Sequence, residues 1–169
     1  MAEVRASLRA HAKMVPDISS LLNGVNRSLL GTLGGGWFVT MFLGHIDPQR
    51  RSLENTSAGH KSGYLLRYSG DIRAVLASTA PPLGIFPDQQ FDSGCAVPLE
   101  QGDTILLVTD GIKDSTNVGG AMFGTEGTPD FMRCRQQSTA AELAQGLYRA
   151  VRTFAGRVPQ INDMISVIM

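Results

Sequence analysis

Between Arg51 and Ala77 the chain alternates short β-prone segments with very short turns. Arg51–Ser57, Gly63–Tyr68 and Asp71–Ala77 are separated only by "SAGHKSG" and "SGD". Segments this short, joined by turns this tight, read as antiparallel neighbours. That reading constrains everything around them. Upstream, Met1, Val4 and Leu8 recur at helical spacing, with Arg5 and Arg9 off the stripe, so residues 2–13 are expected to form an amphipathic helix. Pro16 and Asp17 restart the pattern. Ile18, Leu21, Leu22, Val25, Leu29 and Leu30 give a second helix its apolar face, and "GTLGGG" ends it. The triple glycine lacks the Lys-Ser/Thr of a phosphate loop and reads as a flexible turn.

"WFVTMFLGHI", residues 37–46, is apolar on both alternating faces, as expected of a strand covered from both sides. Asp47-Pro48 supplies a turn. "TAPPLGIFPDQQ" is a proline-punctuated loop, Phe91, Cys95 and Val97 fit one more strand, and "EQGD" turns the chain into Thr104–Val108. "TNVGGAMFGTEG" is expected to be a surface loop. Thr139 and Glu142 form a capping box for a helix whose core face is Leu143, Leu147, Val151 and Phe154, closed by Gly156. "RVPQIND" then leads to a last strand, "MISVIM". Helices flanking a mainly antiparallel sheet region define an α+β chain, here read as a single domain over 1–169 without internal repeats.

Composition excludes several functions. Fifteen Lys plus Arg balance fifteen Asp plus Glu, so no net field draws nucleic acid or an anionic membrane. No apolar run approaches the length of a membrane span, and "MAEVRASLRA" carries charges where a signal peptide needs an apolar stretch. Cys95 and Cys134 lack C-x-x-C spacing and read as reduced, partly buried thiols. A cytoplasmic protein is expected.

The chemistry gathers at two aspartates. In "ILLVTDGIKDS" a core strand runs straight into Asp110 and Gly111. A lone carboxylate at such a position costs several kcal/mol in desolvation unless it is paired or binds a cation. Alone, "TDG" is as well explained by an Asx-turn with Gly111; Lys113 is expected to point to solvent. Asp163, however, stands just before the final strand, as Asp110 stands just after an earlier one. If those strands pair antiparallel, both carboxylates arrive at one sheet edge, and a hard divalent cation relieves their repulsion. Magnesium or manganese suits an all-oxygen site; zinc does not.

The ordered series "FVT", "AGH", "PLG", "TDG", "MFG" and D-x-[IM]-[ST], carried by "FVTMFLGHIDPQRRSLENTSAGHKSGYLLR", "PPLGIFPD", "LEQGDTILLVTDGIKDS", "GAMFGTEG" and "INDMISVIM", resembles the bacterial SpoIIE/RsbU-type branch of the PPM (protein phosphatase 2C-like) superfamily. The likeness covers nearly the whole chain. It implies an α-β-β-α sandwich with mainly antiparallel sheets and a metal-dependent serine/threonine phosphatase. The implied substrates are phosphorylated anti-sigma-factor antagonists in partner-switching control, with an upstream sensor domain possible. Asp110, Gly111 and Asp163 are the implied metal-site residues, with Ser166 in the Ser/Thr place of the last motif. Two ions, Mn2+ or Mg2+, would activate a water for in-line attack without a covalent phosphoenzyme.

The likeness also implies a Gly-Asp strand and a "GDVSGHG"-like stretch upstream of the first helix, so the chain is expected to represent the fold without its N-terminal portion. Met164 replaces the second aspartate of D-D-[IM]-T, and Asp114 stands where glutamate is common. Gly111 is expected to keep a side chain out of the turn that aims Asp110. Asp114 reads as an exposed turn carboxylate or as a partner for metal-bound water. His60 has a structural role ahead of acid catalysis, His11 and His45 are surface or packing residues, and Thr40 is a core hydroxyl. Ser57 and Ser115 lack a G-x-S-x-G context, which sets serine-hydrolase chemistry aside. The alternative function is a catalytically inactive module that binds a regulatory partner; a purely structural domain remains if Asp110 and Asp163 lie far apart.

Overall fold

The computed structural model describes residues 2–15, 17–32, 36–61, 63–134 and 138–169. In chain order the elements are α1 (Ala2–His11), α2 (Ile18–Thr32), β1 (Met41–Asp47), β2 (Ser52–Ala58), β3 (Gly63–Leu66), β4 (Ile72–Val75), β5 (Val97–Pro98), β6 (Thr104–Val108), α3 (Asp110–Lys113), α4 (Gly124–Arg133), α5 (Ala140–Ala155) and β7 (Ser166–Ile168). They fall into two compact units, Met1–Lys61 with Ala77–Leu99, and Ser62–Leu76 with Glu100–Met169.

In the first unit a sheet of order β1-β2-β5 is antiparallel throughout. Its core joins Val4, Leu22, Val25, Leu29, Ala58, Leu83 and Phe91. The predicted apolar stripe of α2 is thus largely the buried one. Asp47 makes the expected turn by accepting the amides of Gln49 and Arg50 at 2.9 and 3.0 Å. Buried Asn26 pins the proline loop, donating to the carbonyl of Phe86 at 3.0 Å and accepting from the Gly84 amide at 2.9 Å.

Several expectations change. The strand predicted over 37–46 begins only at Met41, where pairing with Ala58 begins. Trp37 and Phe38 precede it and are exposed, as is Thr40, which is therefore no core hydroxyl. Gly44–Ile46 are exposed too, so this end of β1 is covered on neither face. The strand expected around Phe91–Val97 shrinks to Val97–Pro98. Side chains of α2 take the backbone bonds a ladder would have made: Asn23 accepts from the Phe91 amide at 2.9 Å and Ser19 from the Ser93 amide at 2.7 Å. Cys95, in this irregular stretch, is free and exposed, as is Cys134 at the end of α4, so neither thiol is partly buried. Of the triple glycine only Gly36 lies among the described residues, with φ +104°.

The second unit holds the sheet β4-β3-β6-β7, again antiparallel. β3 and β6 are its inner strands, and Leu65, Leu66, Ile105, Leu106 and Val108 on them are buried. Its core gathers Tyr64, Leu66, Leu106, Val108, Ile112, Met132, Leu143, Leu147 and Val151, each large aliphatic contributing roughly 1.5–3 kcal/mol by leaving water. The capping box of α5 forms as read: the Thr139 amide donates to Glu142 at 2.7 Å and the Glu142 amide to the Thr139 hydroxyl at 3.3 Å. Phe154 is half-buried and meets Phe123 edge-on at 5.5 Å between ring centroids. Entry into β6 is fixed by Arg73, which pairs with Asp103 at 2.8 Å and Glu100 at 2.6 Å.

The expected surface loop is shorter than read. From Thr116 to Met122 it is a closed turn in which the Asn117 side chain accepts the amides of Gly119 and Ala121, each at 3.0 Å. Helix α4 then begins at Gly124. Two glycines and an internal Pro129 mask it in the sequence, since each is a poor helix former. Its packing against the core, through Met132 and Phe131, is what makes it worth forming.

Candidate metal site

β6 and β7 pair antiparallel with Leu106 opposite Ile168, Leu107 opposite Val167 and Val108 opposite Ser166. The end of one strand therefore meets the start of the other, as the sequence reading required. Past this register the chains remain linked: the Thr109 amide donates to the Ile165 carbonyl at 3.0 Å. Asp110 comes next on one side, Asp163 two residues back on the other.

Two contacts bring these residues closer than strand pairing alone. The Thr109 hydroxyl donates to the Asp163 carbonyl oxygen at 2.8 Å and accepts the Ile165 amide at 3.0 Å. Gly111, buried, lies against the same backbone, so close that a Cβ there would fall 2.7 Å from the Asp163 carbonyl carbon. Gly111 is in the first turn of α3, which Ser115 closes by donating its hydroxyl to the Gly111 carbonyl at 2.7 Å. Asp110 itself opens α3 and is exposed, as is Asp163.

The local-turn role considered for Asp110 is not what forms. Its carbonyl accepts the Asp114 amide at 2.7 Å, while among the described residues its carboxylate accepts no hydrogen bond and joins no ion pair. The Asp163 carboxylate is likewise unpaired among the described residues. Two neighbouring acidic residues without a cationic partner fit a hard divalent cation by donor chemistry. Among the described residues no group of three or more His, Cys, Asp or Glu side chains is placed to hold a metal. Asp114 is exposed and lines, with Gly111, Ser115, Arg152, Asn162 and Met164, a small cavity beside the turn. Thr109 and Ser115 hold this site, and the sequence reading gave neither that part. The available signal was a hydroxyl at each end of the Asp110 turn.

Likeness to solved structures agrees with this architecture. The SiaA-PP2C domain of Pseudomonas aeruginosa superposes with a TM-score of 0.82 at 22% identity, covering 99% of this chain and 67% of that one. The manganese-presoaked phosphatase domain of SpoIIE from Bacillus subtilis gives 0.67 at 18% identity, covering 100% of this chain and 73% of that one. The fold is thus the α+β fold of PP2C phosphatase domains. The family model for stage II sporulation protein E (SpoIIE) matches residues 1–169, and the chain belongs to that family. Among curated relatives, the phosphoserine phosphatase RsbU of Bacillus subtilis is 26% identical over 136 residues, which is 77% of this chain and 38% of RsbU. The phosphoserine phosphatase RsbP of the same organism is 34% identical over 79 residues, 47% of this chain and 19% of RsbP. The chain therefore spans well under half of the curated relatives it matches. Among the described residues no helix is long and apolar enough to cross a membrane.

Proposed function

We propose that this chain is part of the catalytic domain of a metal-dependent protein serine/threonine phosphatase. Its substrate would be a phosphoserine or phosphothreonine on a regulatory protein of the anti-sigma-factor-antagonist type, in the cytoplasm. The observation that carries the reading is the meeting of Asp110 and Asp163 at the β6–β7 edge, within a fold and family of phosphatases. Asp110 and Asp163 would hold Mn2+ or Mg2+, with two ions in the complete domain, and Gly111 would keep the turn clear. Further acidic ligands would come from upstream of α1. When bound, such a cation supplies water activation and neutralises charge on the phosphoryl oxygens. The chain's own residues do the positioning: Asp110 is presented by the first turn of α3, Asp163 by the loop entering β7.

The test is manganese titration of the full-length protein, with phosphate release from a phosphoserine peptide measured in parallel. D110N and D163N should each weaken manganese binding and abolish turnover. Wild-type manganese affinity in both variants would remove the proposal. One observation favours a second reading, a non-catalytic module that binds a regulatory partner: the described residues bring together fewer than three candidate ligands. Manganese binding accompanied by phosphatase turnover excludes it.

A further inference from the structure

The two residues that flank Asp110 in sequence both grip the backbone of Asp163. On one side Thr109 donates its hydroxyl to the Asp163 carbonyl and accepts the Ile165 amide, at 2.8 and 3.0 Å. On the other, the missing side chain of Gly111 leaves room for that same carbonyl. Besides these contacts, the loop they hold is fixed by Met164, which packs against the core, and by the Asn162 carbonyl, which accepts from Gln160 at 2.8 Å. Ile161, Asn162, Asp163 and Ile165 are exposed, and β7 does not begin until Ser166. Apart from the Thr109 hydroxyl, the bond from the Thr109 amide to the Ile165 carbonyl is what ties residues 163–165 to the end of β6.

A hydroxyl is suited to this place. It offers one proton and accepts through its lone pairs, so one Thr109 side chain satisfies a carbonyl and an amide two residues apart. Its branched Cβ restricts χ1, which limits where the oxygen can go. The result is a fixed separation between the backbone that presents Asp110 and the backbone that presents Asp163.

We infer that Thr109 is a positioning residue for the metal site: its hydroxyl sets Asp163 against Asp110 and thereby sets divalent-cation affinity. The inference rests on the proposed function, since it gives the pair a cation to bind. A ligand held in advance loses less freedom on binding, and groups that orient metal ligands typically govern about 10–100-fold in affinity.

The experiment is manganese(II) binding by the full-length protein, followed by electron paramagnetic resonance of the free ion, in wild type, T109V, T109S and L147A. T109V keeps the branched shape and deletes the hydroxyl; it should weaken manganese binding by about 10–100-fold. T109S restores the oxygen and should recover wild-type affinity. L147A loosens the core on which Met164 packs but leaves the Thr109 hydroxyl in place; it should weaken manganese binding far less than T109V does, which separates positioning from general destabilisation. Should T109V fail to fold, T109A carries the same comparison. Binding by the wild type that T109V and T109A leave unchanged overturns the inference alone. Absence of manganese uptake by the wild type overturns the functional reading and this inference with it.

Discussion

Gly111 and Asp163 are in backbone contact: a Cβ on Gly111 would lie 2.7 Å from the Asp163 carbonyl carbon and 2.8 Å from the Asn162 carbonyl oxygen. Real Cβ atoms do not come so close to backbone, and backbone cannot step aside as the end of a flexible side chain can. G111A should therefore push the 162–163 segment away from α3 even though alanine is the better helix former. The expected loss is about 1–3 kcal/mol, as for other overpacked sites. Urea denaturation of G111A checks it, and an unshifted midpoint would show that the two segments are not packed as described.

The capping box gives a pH dependence of known sign. The Glu142 carboxyl is held below the ordinary glutamate range, first by the Thr139 backbone amide and then by the Thr139 hydroxyl. A depressed folded-state value means that the contribution to stability is complete above the unfolded value of about 4.3 and disappears as pH falls through the lower folded value. E142Q should be less stable than wild type at neutral pH and should converge with it in acid. Denaturation midpoints of the two proteins from pH 7 down to pH 3 measure this. A gap that stays constant over that range would mean that Glu142 caps without its charge.

Leu147 is fully buried at the centre of the second unit's core, beside Leu143 and Val151. Truncation to alanine removes its apolar contacts and leaves a cavity between helix and sheet. L147A should cost about 2–5 kcal/mol, read from its unfolding midpoint. A cost well below that range would mean that the helix can settle into the space.

The sequence alone determined the parts of this protein whose signals are local. Periodicity marked α1, α2 and α5, the Thr139–Glu142 box marked where α5 starts, and a tight turn marked β3 and β4 as antiparallel neighbours; β2, read as a third neighbour, instead pairs with β1 and β5 in the other sheet. Ordered motifs gave the family and named Asp110, Gly111 and Asp163. Helix α4 escaped because glycine and Pro129 oppose it locally and its reward is burial against residues far along the chain. The early start read for β1 and the strand read around Phe91 failed for a related reason: their apolar residues suit a strand, but pairing and the side chains of α2 decide where one forms. Only the tertiary structure decided how the two aspartates are held. Register between β6 and β7 is a non-local hydrogen-bond pattern, and the Thr109 hydroxyl finds its partners 54 and 56 residues away. A local sequence window specifies which groups can bond; the folded backbone determines which of them meet.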